Sequence, residues 1–90
     1  MSSETEKGKL TCSFIVKNPK GLHARPSTDL AKCASAFMSQ VVLHYQNLSI
    51  NAKSLISILM LEIECGAEVT IEATGQDAKE ALESIIKLAL

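Results

Sequence analysis

No stretch of this chain is apolar for long enough to cross a bilayer, and its start, MSSETEKGK, is polar and acidic. Neither a secretory signal nor membrane insertion is expected, so the cytoplasm is the expected compartment. No charge of one sign dominates. Nine Lys and Arg stand against ten Asp and Glu, a formal net charge of -1, which speaks against a disordered tail and against a general nucleic-acid binder. The three cysteines, Cys12, Cys33 and Cys65, are odd in number, dispersed and without a CxxC pair. They indicate reduced structural thiols rather than a disulfide framework or a local metal site. Glycine-rich dinucleotide and Walker loops are missing, and no residues stand at metal-ligand spacing. Glu62 and Glu64 read as a solvated end rather than an acid/base pair. No cofactor and no metal are expected.

What is present is a 90-residue chain with 47% hydrophobic and 21% charged residues, enough for one domain with a modest core. Residues 1–8 read as a loose N-terminal extension and residues 9–90 as the domain. In KLTCSFIV, Leu10, Cys12, Phe14 and Val16 alternate with Thr11 and Ser13, which predicts a half-buried strand. Asn18, Pro19 and Gly21 then supply a turn. Ala24, Ser27, Leu30, Ala31, Ala34 and Phe37 recur at helical spacing, predicting a helix over about 24–36 with a face of mostly small residues. QVVLHYQ and LSIN read as a hairpin turning at Gln46 and Asn47, with His44 at an outward or edge position. SLISILML is continuously apolar, so strand and short helix both stay open; Ser54 as a cap favours the helix. Val69, Ile71 and Ala73 alternate with polar neighbours in a further strand. QDAKEALESIIKLAL follows as a helix, with Asp77 and Glu80 in capping-box spacing and Ala78, Ala81, Leu82, Ile85, Ile86 and Ala89 on one side. Met38 and Met60 read as packing residues.

The element order βαββαβα predicts an α/β (α+β) fold. It is an open-faced two-layer sandwich, a four-stranded antiparallel sheet covered on one face by three helices. In it His23, one of only two histidines, stands where the first strand hands over to the first helix. The amides around Ala24 and Arg25 have no intrahelical acceptors there. Pro26 in the first turn loses nothing and stiffens the junction. A phosphoryl group on the imidazole would meet these donors and the planar fork of Arg25. A neutral imidazole is a competent nucleophile at cytoplasmic pH. On the residues alone two readings remain: a phosphoryl acceptor, or a polar turn residue with Arg25 and Lys20 on a solvated surface.

GLHARPS, with INAKSLISILML and GAEVTIEATGQDAKEAL downstream, resembles the histidine-containing phosphocarrier (HPr) family of the phosphoenolpyruvate-dependent phosphotransferase system, from about Leu10 to Leu90. The resemblance implies that His23 accepts a phosphoryl group on Nδ1 from phosphorylated Enzyme I and passes it to an Enzyme II (IIA) domain. It implies an active-site role for Arg25 and a phosphate-cradling helix start at Ala24, Pro26 and Ser27. It also implies that Ser54, in the Lys53-Ser54 step, is a target of a dedicated HPr kinase/phosphorylase, although serine is a good N-cap without being a substrate. Ala36 and Met38 stand where sugar-branch carriers commonly have lysines, and Leu61-Glu62 replaces leucine followed by glycine. These departures look like the nitrogen-related branch, whose acceptor would be a regulatory IIA domain.

A docking face is expected around Leu22, Lys20, Lys53, Leu55, Ile56 and Leu59, with Leu55 and Ile56 chosen as exposed. Lys20, Arg25, Lys32 and Lys53 are candidates for a positive rim. A monomer suits a carrier that shows one face to successive partners. Two other function classes remain: a regulatory interaction protein controlled by the phosphorylation state of His23 or Ser54, and a small enzyme with His23 as general base. The second lacks a partner carboxylate at recognisable spacing.

Overall fold

The first strand sorts its side chains as the alternation requires. In the computed structural model, which describes residues 8–90, β1 (Lys9–Ile15) leaves Thr11, Ser13 and Ile15 exposed and half-buries Leu10, Cys12 and Phe14. The expected N-terminal extension lies outside the described residues except for Gly8, whose carbonyl accepts from the Gly75 N–H at 2.9 Å. The remaining elements are α1 (Ala24–Ser35), β2 (Gln40–Tyr45), β3 (Leu48–Asn51), α2 (Leu55–Met60), β4 (Glu68–Thr74) and α3 (Ala78–Lys87). This is the expected order, and SLISILML is indeed a short helix.

The strands pair antiparallel in the order β1-β4-β2-β3, so the last strand of the sequence slots between the first two. Register is set by burial. Val41 and Leu43 of β2 and Val69, Ile71 and Ala73 of β4 face inward, and Cys12 is opposite Ile71. A slip of one residue would turn all of them to solvent. On the other face, His44 bridges Ser49 and Glu72 through its two ring nitrogens at 2.7 and 3.0 Å, and Lys9 lies 3.7 Å from Glu72. His44 is therefore outward, as its place in the alternation predicted.

The helices cover the inner face. α3 lies against β1, β4 and β2, and α1 packs beside α2 and α3. Ser27, Leu30, Ala31 and Ala34 are buried in α1, and the small residues allow this close approach. Ala24 is exposed, and Pro26 takes the buried place at the helix start instead. Burial pushes the Cys12 and Cys33 thiols up, so neither is a ready thiolate.

Several side chains go where periodicity did not send them. Ile86 is 53% exposed in the last turn of α3, one residue before the helix ends at Lys87, while its neighbour Ile85 takes the buried place. Met38 and Met60 are 91% and 77% exposed, so neither is a packing residue. Asp77 stands at the N-cap of α3 but makes no side-chain cap bond. Its carboxylate accepts instead from the Met38 and Ser39 amides, each at 2.9 Å, and from the Ser39 hydroxyl. The capping box gives way to a clamp joining the α1–β2 loop to α3. These bonds, the Ser39 hydroxyl first and the Met38 amide next, hold the Asp77 carboxyl below its ordinary value of 3.8. Glu62 adopts φ 51, the left-handed region that glycine enters more readily, directly after the C-cap Leu61.

Candidate functional site

The approach to His23 is fixed from both sides. Asn18 makes a local turn, its side-chain oxygen accepting from the Lys20 amide at 3.1 Å and its carbonyl from Gly21 at 2.8 Å. Gly21 has φ 70, and a Cβ added to it would stand 2.2 Å from the Ile63 carbonyl oxygen. Only glycine lets the two backbones meet. The next amide, that of Leu22, then bonds the same Ile63 oxygen at 2.9 Å.

His23 follows as the N-cap of α1, in extended backbone with φ -81 and ψ -164, and its side chain makes no capping bond. The first intrahelical bond is Ser27 N–H to the His23 carbonyl at 3.0 Å. The amides ahead of it, Ala24 and Arg25, keep no intrahelical acceptor, and Pro26 has none to offer. The first turn itself contains no acidic residue. The half-buried ring, Arg25 and Pro26 line a shallow cavity of about 210 Å³ together with Asn18, Asp29 and the Leu88–Leu90 segment.

The far wall of that cavity comes from the other end of the chain. Ala89, at φ 56, turns Leu90 back so that its oxygen accepts from the Lys17 amide at 2.8 Å and the Asn18 amide at 3.0 Å. The Leu90 side chain is buried. The sequence pattern gives Asn18 only a turn role, leaves Asp29 on the polar side of the helix and holds no signal for the Leu88–Leu90 wall. The i, i+4 spacing of Arg25 and Asp29 was the one clue available.

Some expected site residues are elsewhere. Ser27 is fully buried, its hydroxyl donates to the Leu22 carbonyl at 2.8 Å and its amide is already bonded, so it has no donor left for a phosphate. Pro26 shapes the turn without donating. Leu22, expected on the docking face, is 2% exposed and belongs to the core. Lys53, half-buried, donates its ammonium to the Phe37 carbonyl at 2.8 Å, tying α2's approach to the end of α1 rather than standing free on a rim. Lys20 is exposed. Of the apolar set, Leu55 and Leu59 are half-buried, with Leu55 packed against the core, while Ile56 is 66% exposed. Met60, one turn on along α2, is exposed as well.

Ser54 caps α2, its oxygen accepting from the Ser57 amide at 3.3 Å and its hydroxyl lying 3.0 Å from that of Ser57. Among the described residues, no group of three or more His, Cys, Asp and Glu is placed to hold a metal ion, and no helix is long and apolar enough to cross a membrane.

Residues 10–89 match the pattern described as the PTS HPr component phosphorylation site. The fold is similar to that of the histidine-containing phosphocarrier protein of a mycoplasma, at 37% identity and a TM-score of 0.84 over 87% of this chain and 89% of that one. It is similar to the phosphocarrier protein HPr of Bacillus anthracis, at 30% identity and a TM-score of 0.86 over 93% and 100%. Crh, the catabolite repression HPr of Bacillus subtilis, is 34% identical, with a TM-score of 0.65 over 89% and 95%.

Proposed function

The chain belongs to the HPr family of the phosphotransferase system, and on that premise we propose that His23 is the atom-level carrier of its phosphoryl group. As a family member it is a phosphoryl carrier and not an enzyme, moving the group between Enzyme I and an Enzyme IIA domain. The observation that supports His23 most is its unused ring at a helix start: no capping bond occupies it, and two free amides and Arg25 stand beside it.

In the proposed transfer the Nδ1 lone pair attacks phosphorus. The P–Nδ1 bond forms as the bond from phosphorus to the donor breaks, the electron pair staying with the donor. The Ala24 and Arg25 amides and the Arg25 guanidinium then face the new anion. Passage to the IIA acceptor runs the same step in reverse, with His23 as the leaving group. The proposed compartment is the cytoplasm, where an exposed thiol such as Cys65 stays reduced. The proposed acceptor is the regulatory IIA domain of the nitrogen-related branch. The residues Leu61-Glu62, in place of the sugar branch's leucine followed by glycine, support this reading.

Ile56 and Met60, both exposed on α2, supply the apolar part of the proposed docking face, and Leu55, Leu59 and Lys20 are its other proposed members. Ser54 is the proposed regulatory site for an HPr kinase/phosphorylase, because a phosphate there would place about two negative charges at the foot of that face. A second reading, a regulatory protein that changes a partner's activity without passing phosphate on, is favoured by the likeness to a catabolite repression HPr. Incubation with phosphoenolpyruvate and Enzyme I, followed by intact mass, separates these ideas. Wild type should gain one acid-labile phosphoryl group and His23→Ala none. An H23A protein that still loads would overturn the assignment. A loaded wild type that changes a partner's affinity but never discharges to a IIA domain would favour the regulatory reading.

A further inference from the structure

α1 carries Arg25 and Asp29 one turn apart on the same face, and both line the cavity that holds the His23 ring. Side chains on a helix lean toward its N-terminus, so the Asp29 carboxylate overlies the turn that bears Arg25 rather than its own. Among the residues lining that cavity, Arg25 is the one cation of the helix start and Asp29 the one acidic side chain. Neither is held in a salt bridge among the described residues, and both are exposed. Asp29 therefore has no partner elsewhere to draw its charge away from the cavity.

An anion in that place works against a phosphoryl group. The loaded ring brings about two negative charges into the cavity. A carboxylate one helical turn away repels them, and it competes for the guanidinium that would balance them. The unloaded state has neither penalty. We infer that Asp29 is a positioning residue that keeps the phosphoryl group on His23 loosely held, lowering the equilibrium loading of the carrier and favouring discharge to its acceptor. This rests on the His23 reading above and adds a residue that the phosphate itself does not require. Because the groups are exposed, solvent and salt weaken the effect, and a two- to fivefold change in the loaded-to-unloaded ratio is expected, on the order of one screened charge pair.

The test is an equilibrium rather than a rate, so that altered docking on Enzyme I cancels. Wild type, Asp29→Asn and Asp29→Glu are each equilibrated with catalytic Enzyme I. The phosphoenolpyruvate to pyruvate ratio is set to leave wild type half loaded, and loading is read by intact mass. D29N should rise two- to fivefold in its loaded-to-unloaded ratio, D29E should stay near wild type, and the gap should narrow in molar salt. Equal loading of wild type and D29N would overturn the inference, as would a D29E shift as large as that of D29N or a gap indifferent to salt. A wild type that loads only on a residue other than His23, or never loads, would overturn the His23 reading as well. Loading on His23 with no D29N effect would sink only the role of Asp29.

Discussion

Two helices in this molecule start in opposite ways. α2 is six residues long and begins with a closed cap, Ser54 accepting from the Ser57 amide and touching the Ser57 hydroxyl. α1 is twelve residues long and begins with His23, which caps nothing. A serine at the first start would be the ordinary stabilising choice, and the chain does not make it. Short helices need their caps, because a single turn gains little from propagation. A longer helix packed on α2 and α3 can do without one, and that leaves its amides for a ligand. The open start is thus a local loss of stability held by packing elsewhere, in the manner of functional sites generally.

The strongest way to break this contrast is at the loop that aims His23. Gly21→Ala puts a Cβ into the Ile63 carbonyl and an L-residue at φ 70, so it should cost at least about 2 kcal/mol, read as a lower urea midpoint. An unchanged midpoint would mean that the loop is not fixed against Ile63. A cap exchange sharpens the contrast further. Ser54→Ala should lower stability by about 1 kcal/mol without preventing loading by Enzyme I, whereas His23→Ser should raise it by about 0.5–1 kcal/mol and abolish loading. Opposite signs in the two denaturation curves are the expected result; an H23S protein less stable than wild type would show that the open cap costs nothing.

The smallest effect concerns the third helix start, where Asp77 is diverted to the α1–β2 loop. Its carboxyl is held below the ordinary value, so its contribution is present above about pH 4 and fades as pH falls through the lowered folded value. The stability gap between wild type and Asp77→Asn should therefore shrink in that acid range and stay level from pH 5 to 7. A gap that widens on acidification would show that the Met38 and Ser39 bonds do not favour the carboxylate.

Most of the architecture was legible because it depends on period. The alternation of β1 and β4 and the spacing of Leu30, Ala31 and Ala34 fix which side of each element faces inward, and the structure agrees. The place of His23 and Arg25 at a helix start was legible because the turn residues and Pro26 mark it, while the role proposed for them came from the family resemblance. What was not legible depends on partners remote in sequence. Asp77 carries the capping-box pattern, but the Met38 and Ser39 amides offer it better bonds. Leu22 looked like a site neighbour and is instead drawn into the core by the Ile63 contact. Ser27 looked like a phosphate donor, yet its hydroxyl is claimed by the Leu22 carbonyl behind it. The Leu88–Leu90 wall of the cavity was invisible, since nothing in α3 announces that Ala89 will reverse the chain.

The insertion of β4 between β1 and β2 has a bearing on synthesis. A nascent chain that has reached only α2 holds β1 and β2 with no strand to join them, since each pairs with β4 and not with the other. The cavity beside His23 likewise lacks its wall until α3 and Leu90 have emerged. Contacts this distant in sequence form late in folding. An incomplete translation product would therefore contain the whole GLHARPS motif and still lack the finished cavity proposed to take a phosphoryl group, so the fold withholds that cavity from fragments that the motif alone would not distinguish from the complete domain.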